Sequence, residues 1–164
     1  MDLAKLKASV LKKVKPSKKE IGAEQKMADE LMKKIRALEG SHVEVMLCGS
    51  MARDTHLKGD RDLDLFVLFP EGVPREQFVK EGLRLGKAVF RGHTWEEAYS
   101  EHPYIRGEIR GFEVEIVPSY KVSAAELLKS AVDRSPFHQR YLEKKLTAKM
   151  RDEVRLLRQF LKGI

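Results

Sequence analysis

The stretch between residues 43 and 69 constrains the fold of this chain more than any other. The apolar run Val43-Glu44-Val45-Met46-Leu47 predicts a short strand, and Gly49-Ser50 then predicts a turn that opens a brief helix. Residues 62–69 predict a second strand. Because strand side chains alternate between the two faces of a sheet, Asp62 and Asp64 project together while their apolar neighbours occupy the other face.

This arrangement indicates a site for a metal-bound phosphate. The backbone N–H groups of a small-residue turn can meet phosphate oxygens, and carboxylate oxygens are the ligands that hard divalent cations prefer. A D-x-D pair on its own also occurs on solvated strand faces. The combination of a strand, a Gly-Ser turn and a D-x-D pair inside an apolar strand favours the functional interpretation of Asp62 and Asp64.

A second strand pair offers further carboxylates. Residues 104–110 and 112–118 predict a β-hairpin with Gly111 at the turn. The alternating apolar residues of the second strand would face the core, and Glu113 and Glu115 would share the opposite face. Either glutamate could complete a three-carboxylate cluster with the D-x-D pair, and the spacing alone does not choose between them.

Helical periodicity and helix-start signals flank these strands. A capping box at Ser17 and Glu20 predicts a helix over residues 18–39 that ends at Gly40. A short amphipathic helix is predicted within residues 1–15, and a later helix has Pro74 at its first position and Phe78, Gly82, Leu85 and Val89 on one face. A short helical turn is predicted over 94–100, with Trp95 and Tyr99 in the core, and a capping box at Ser123 and Glu126. Two helices follow, one over 137–146 capped by Ser135-Pro136 and a last one over 147–162.

Together these elements predict an α+β fold, in which a small twisted mixed β-sheet is flanked by helices and followed by a C-terminal helical extension. We expect a catalytic domain over residues 1–130 and the extension over 131–164. The last predicted helix has an apolar stripe and a separate basic face. The stripe comprises Met150, Val154, Leu157 and Leu161, and the basic face comprises Arg151, Arg155, Arg158 and Lys162.

The charge of the chain favours a polyanionic partner. Its 164 residues include 32 Lys and Arg against 25 Asp and Glu, which gives a formal charge of +7. A basic excess around a carboxylate cluster suggests nucleic acid with metal ions between. The single cysteine, Cys48, excludes an intrachain disulfide, and no apolar stretch has the length of a membrane span, so we expect a soluble, cytoplasmic protein.

Several other chemistries are excluded by the motifs that are missing. The histidines are scattered, and no His or Cys cluster has the spacing of a zinc site. The sequence also contains no nucleophile elbow, Walker A loop or dinucleotide-binding fingerprint.

The motifs Gly49-Ser50-Met51-Ala52-Arg53, Asp62-Leu63-Asp64 and Glu113-Val114-Glu115-Ile116-Val117-Pro118 resemble those of the polymerase-β-like nucleotidyltransferase superfamily. More narrowly, the chain resembles the N-terminal catalytic region of archaeal-type (class I) CCA-adding enzymes, the tRNA nucleotidyltransferases. The stretches that carry this narrower resemblance are residues 52–59, 101–104, 130–138 and 153–162.

The resemblance implies a two-metal mechanism in which three carboxylates surround two Mg²⁺ ions. Asp62 and Asp64 would hold both ions. Glu115 falls at the third carboxylate position, which also holds metal and activates the tRNA 3′-hydroxyl. The residues that the resemblance places at the nucleotide triphosphate are Gly49, Ser50, Arg53, His138 and Arg158.

The chain departs from the family pattern at two of these positions. The third carboxylate is commonly Asp, and here it is Glu115, which is one methylene longer. The helix position that grips the triphosphate is commonly Lys, and here it is Arg158, which keeps the charge but changes its geometry. In the family the polypeptide continues into domains that select CTP or ATP and hold the tRNA, so the resemblance implies missing C-terminal domains or a partner chain.

The expected function is therefore the transfer of CMP and AMP from CTP and ATP to the 3′ end of tRNA. Two alternatives stay open at this point. The chain could be a stand-alone minimal nucleotidyltransferase that modifies another acceptor, or a weakly active subunit that needs a partner chain.

Overall fold

The computed structural model describes residues 2–39, 43–124 and 127–163. The described residues form helices and strands with these bounds: α1 Leu3–Val14, α2 Lys18–Glu39, β1 Glu44–Cys48, α3 Gly49–Ala52, β2 Asp62–Phe69, α4 Arg75–Val89, β3 Trp95–Tyr99, β4 Pro103–Ile109, β5 Phe112–Tyr120, α5 Arg134–Lys145 and α6 Ala148–Lys162. The predicted α+β class is confirmed. None of these helices is both long and apolar enough to cross a membrane.

The strands form one mixed sheet in the order β1-β2-β5-β4-β3, in which only the central β2–β5 pair is parallel. The register of this pair sets Asp62 opposite Glu113 and Asp64 opposite Glu115. Helices α2 and α4 contact the sheet, and the apolar residues between the carboxylates, such as Leu63, are fully buried. Covering one face in this way leaves the carboxylates of β2 and β5 on the other face.

Helix α4 lies very close to the sheet at two glycines. A Cβ atom at Gly82 would lie 2.6 Å from the Pro118 ring, and one at Gly86 would lie 2.6 Å from the Ile105 side chain. Phe78, Gly82, Leu85 and Val89 are all buried, as the predicted helix face requires. This close approach seals the apolar face of the sheet beneath β4 and β5.

The capping box and the hairpin are confirmed. The Ser17 N–H donates to Glu20 Oε2 at 2.7 Å, and the Glu20 N–H donates to Ser17 Oγ at 3.2 Å, so α2 begins at Lys18. Arg110 and Gly111 both have positive φ between β4 and β5, which is the backbone of a tight type I′ hairpin turn. The predicted helix end at Gly40 and the capping glutamate Glu126 lie outside the described residues.

The prediction of a helical turn over residues 94–100 is wrong. Residues 95–99 form the edge strand β3, paired antiparallel with β4. Trp95 is 40% exposed and Tyr99 is 75% exposed, so they are not core contacts either. The helical prediction rests on the capping-box pattern of Thr94 and Glu97, which a strand can also carry, and residues i and i+4 share a face in a strand as well as in a helix. Pairing with β4 decides between the two.

Two predicted helix starts are shifted. Pro74 is the cap residue that precedes α4, rather than its first helical residue. Helix α5 begins at Arg134, so Ser135 lies inside it and does not cap it. The preceding Asp133 is fully buried and accepts hydrogen bonds from the Ser119 hydroxyl and from three backbone N–H groups. Satisfying these donors fixes Asp133 and thereby the start of α5.

Helix α6 turns its basic face toward the rest of the protein. Arg155 is fully buried, whereas Leu157 and Leu161 on the apolar stripe are each 57% exposed. Ion pairs also join α6 to α1, from Lys7 to Glu153 and from Lys15 to Asp152. The predicted separation of the two faces is confirmed, and the structure shows that the basic face packs inward.

Candidate active site

The Gly-Ser turn and the second aspartate are held in contact by the sheet. Strand β1 ends at Cys48, which pairs with Asp64 of β2, and Gly49 then starts α3 with a φ of +76°. A Cβ atom at Gly49 would lie 1.8 Å from Asp64 Oδ2. Glycine is therefore required here both for its backbone conformation and for the space that the carboxylate occupies.

The three candidate catalytic carboxylates lie on the open face of β2 and β5. Asp62 is exposed, whereas Asp64 and Glu115 are half-buried and lie opposite each other in the parallel register. The Tyr104 hydroxyl of β4 donates to Glu115 Oε1 at 3.4 Å. Arg106, also of β4, is the register partner of Glu115. Strand β2 thus positions Asp62 and Asp64, and strand β5 positions Glu115 with support from Tyr104 of β4.

Burial and the repulsion of neighbouring negative charges both raise the pKa values of Asp64 and Glu115. Burial raises the pKa of Asp64 to about 6, and the negative charges of Glu115 and Asp62 act in the same direction. Burial likewise raises the pKa of Glu115, while the Tyr104 hydroxyl bond and the positive charge of Arg106 oppose the increase. The face therefore concentrates negative charge that is partly shielded from water, an environment that a cation would stabilise.

The donor types at this face suit a hard divalent ion. Asp62, Asp64 and Glu115 offer only carboxylate oxygens, which are preferred ligands of Mg²⁺. Within residues 2–39, 43–124 and 127–163, no three His, Cys, Asp or Glu side chains are already grouped so that they could hold a metal ion. The chemistry of the residues fits Mg²⁺, and their arrangement around an ion stays a prediction.

A groove of about 1270 Å³ runs over the carboxylates. It is lined by seven of the eight predicted site residues, Gly49, Ser50, Arg53, Asp62, Asp64, Glu115 and Arg158. An adjoining groove shares five of these residues and adds His138. The structure thus brings all eight predicted residues to one continuous concave surface.

Arg53, His138 and Arg158 reach this surface from three different parts of the chain. Arg53 follows α3 and donates from Nη1 to the side-chain oxygen of the buried Gln139 at 3.3 Å. His138 precedes Gln139 on α5 and is exposed. Arg158 of α6 donates from Nη2 to Asp60 Oδ2 at 3.2 Å. The positive charges of Arg53 and Arg158 both act to lower the pKa of Asp64.

A buried arginine, Arg155, fixes α6 beside the site through contacts that the sequence does not reveal. Arg155 donates to Asp54, to Asp152 at 3.0 Å and to the His56 carbonyl at 3.2 Å. The basic face of α6 signals that these cations need partners, but Asp54 lies 101 residues earlier in the chain. The contacts of Tyr104, Gln139 and Asp60 are likewise absent from the sequence pattern, because they form only in the folded protein.

Comparison with known proteins agrees with this geometry. The family model described as a nucleotidyltransferase domain matches residues 28–138. The CCA-adding enzyme of Methanocaldococcus jannaschii is 42% identical over 161 residues, which is 94% of this chain and 36% of that protein. The CCA-adding enzyme of Halobacterium salinarum is 51% identical over 122 residues, 74% of this chain and 26% of that protein. The chain therefore spans roughly a third of the length of these relatives.

Solved structures share the fold at low sequence identity. A cytoplasmic RNA terminal U-transferase superposes with a TM-score of 0.70 at 19% identity, covering 96% of this chain and 44% of that one. A chain of the CdnC:HORMA-deltaN complex of E. coli MS115-1 gives a TM-score of 0.68 at 20% identity, covering 96% of this chain and 56% of that one. With its sheet, its Gly-Ser turn and its carboxylates all within the matched residues, the chain belongs to the nucleotidyltransferase domain family.

Proposed function

We propose that this chain is the catalytic domain of a tRNA nucleotidyltransferase that adds CMP and AMP, from CTP and ATP, to the tRNA 3′ end. The observation that carries the proposal is the open sheet face, where three carboxylates lie beside a Gly-Ser turn, two arginines and His138. The choice of tRNA as acceptor is supported by the longer relatives, which are CCA-adding enzymes.

The triphosphate would lie along the turn and the side chains of Arg53, His138 and Arg158. The turn at Gly49 and Ser50 would offer backbone N–H groups, and Arg53 is held by Gln139. Arginine suits this role because its planar donors match phosphate oxygens two at a time. His138 and Arg158 would contact the same triphosphate from α5 and α6.

Asp62, Asp64 and Glu115 would hold two Mg²⁺ ions. Bound there, the ions would lower the pKa of the attacking hydroxyl and neutralise charge on the triphosphate. Glu115 would accept the proton of the tRNA 3′-hydroxyl. Because Tyr104 donates to Glu115 Oε1, the other carboxylate oxygen, Oε2, can face the incoming hydroxyl.

The division of the chain belongs to the same proposal. Residues 1–130 would form the catalytic domain, and residues 131–164 a helical extension that the ion pairs of α6 attach to it. Selection of the base and most of the grip on tRNA would come from further C-terminal domains or a partner chain, since the relatives are much longer. The single buried cysteine is consistent with a cytoplasmic location.

A panel of acceptors tests the proposed function. Labelled CTP and ATP are offered with Mg²⁺ and either a tRNA that lacks its CCA end, the same tRNA with an intact CCA end, or an unrelated RNA of equal length. We expect more transfer to the tRNA that lacks CCA than to the others, by a modest margin because most of the grip on tRNA is assigned to further domains or a partner chain. Preferential transfer to the unrelated RNA would contradict the choice of tRNA and support a stand-alone enzyme with another acceptor.

A further inference from the structure

Asp60, which lies two residues before the start of β2, contacts two residues of α6. Asp60 has a side chain that is only 10% exposed, and it accepts a hydrogen bond from Lys162 Nζ at 2.6 Å and one from Arg158 Nη2 at 3.2 Å. The Leu57 N–H donates to the same carboxylate at 3.2 Å. The backbone bond and the burial hold Asp60 still, so it can act as a fixed anchor for the two cations.

Arg158 donates only one of its guanidinium nitrogens to Asp60, so its other N–H groups stay available toward the groove. Arg158 lines both grooves of the candidate active site and has a side chain that is 35% exposed. Its Nε is buried and has no hydrogen-bond partner among the described residues. A guanidinium has five N–H donors in one rigid plane, so holding one nitrogen at Asp60 sets the direction of the others.

The charge of this contact also suits a phosphate ligand. One carboxylate, Asp60, faces two cations, Arg158 and Lys162, so the group keeps a net positive charge beside the groove. Ordering a long flexible side chain before the ligand arrives reduces the entropy that binding would otherwise cost. A fixed anchor therefore favours triphosphate binding even though it occupies one of the arginine nitrogens.

We propose that Asp60 is a positioning residue that holds the Arg158 guanidinium toward the groove and thereby raises the affinity for a nucleoside triphosphate. The inference rests on the proposed function, and it goes further by assigning a role to a carboxylate that would touch neither the nucleotide nor a metal ion. Asp60 acts through Arg158, so its effect depends on that arginine.

A double-mutant cycle tests this dependence. The affinities of Mg²⁺-ATP and of inorganic tripolyphosphate are measured by calorimetry for the wild type, Asp60→Asn, Arg158→Ala and the double variant. We expect Arg158→Ala to weaken both ligands about tenfold, as for a lost charge-assisted hydrogen bond, and Asp60→Asn to weaken them about threefold to tenfold. In the Arg158→Ala background, Asp60→Asn should have no further effect.

Two further variants distinguish a positioning role of Asp60 from a general loss of folding. Asp60→Glu restores the carboxylate and should recover part of the affinity that Asp60→Asn loses. Lys162→Met removes the other partner of Asp60 together with one positive charge but leaves Arg158 its anchor, so it should weaken binding less than Asp60→Asn does. Thermal unfolding followed by circular dichroism establishes that each variant is folded.

The proposal would be overturned if Asp60→Asn tightened triphosphate binding or left it unchanged, because Asp60 would then compete for Arg158 or be irrelevant to it. An equal loss with and without Arg158 would overturn it as well. If the wild type bound neither ATP nor tripolyphosphate, the proposed function itself would fail, and this inference with it.

Discussion

At the scale of single residues, the site depends on a glycine and a carboxylate that share one small volume. Gly49 combines a φ of +76° with a Cβ position 1.8 Å from Asp64 Oδ2. The Gly-Ser turn and the D-x-D pair are visible in the sequence, but the contact between them follows from the β1–β2 register. The supporting roles of Tyr104 and Gln139 were not predictable, because a tyrosine or glutamine contact carries no local signal.

Gly49→Ala is expected to displace Asp64 and weaken Mg²⁺-ATP binding at least tenfold, since the added methyl occupies the position of the carboxylate. Strain at positive φ should also lower the free energy of unfolding by about 1–2 kcal/mol. Calorimetry and urea unfolding measure the two effects. Gly92→Ala is the matched control, because Gly92 has a φ of +84° but no atom within 4 Å of its Cβ position. Equal nucleotide affinities in the two variants would contradict the account.

Asp64 should make stability depend on pH. Its pKa is raised from 3.8 to about 6, so its protonated form is favoured by folding, and this contribution is lost as pH rises from about 4 through 6. Asp64→Asn should therefore raise the free energy of unfolding by roughly 2 kcal/mol at pH 7.5 and by much less at pH 4. Urea unfolding at both pH values in the absence of divalent ions measures the difference. A pH-independent effect of the substitution would show that Asp64 is not perturbed.

At the scale of elements, sequence patterns succeed where the determining contacts are local. The capping box at Ser17 and Glu20 and the turn at Gly111 involve only neighbouring residues, and both were predicted. The sequence does not identify strand β3 because the capping-box pattern of Thr94 and Glu97 favours a helical turn, and only pairing with β4 decides for a strand. The inward face of α6 could not be predicted because its partners, Asp54 and Asp60, lie about a hundred residues away.

Arg155 should contribute most of the attachment of α6. Arg155→Met keeps the bulk but leaves Asp54 without its buried partner, and we expect the free energy of unfolding to fall by about 2–3 kcal/mol. The estimate is below that for a wholly buried pair because the Asp54 side chain is 39% exposed. Arg151→Met is the control, since Arg151 is 3.9 Å from the same aspartate and should cost less than about 1 kcal/mol. Comparable losses in the two variants would contradict the assigned role of Arg155.

At the scale of the whole molecule, the fold separates an apolar face of the sheet from a charged one. Helices α2 and α4 cover the first, and the second carries the carboxylates with α3, α5 and α6 at its margin. The chain carries a formal charge of +7, and arginines such as Arg53 and Arg158 line the groove over this acidic face, which suits a nucleic acid and a triphosphate. Composition alone predicts a polyanionic partner, whereas the grouping of all eight site residues depends on the sheet topology.

The most direct test is Mg²⁺-dependent transfer of labelled CMP and AMP onto a tRNA without its CCA end, with two matched variants. Asp62→Asn removes a proposed metal ligand, and Glu108→Gln removes another carboxylate from the same groove that has no assigned role. We predict that transfer requires Mg²⁺, that Asp62→Asn reduces it by about a thousandfold, and that Glu108→Gln stays within about threefold of the wild type. Transfer that persists in Asp62→Asn, or that needs no divalent ion, would contradict the account of this site.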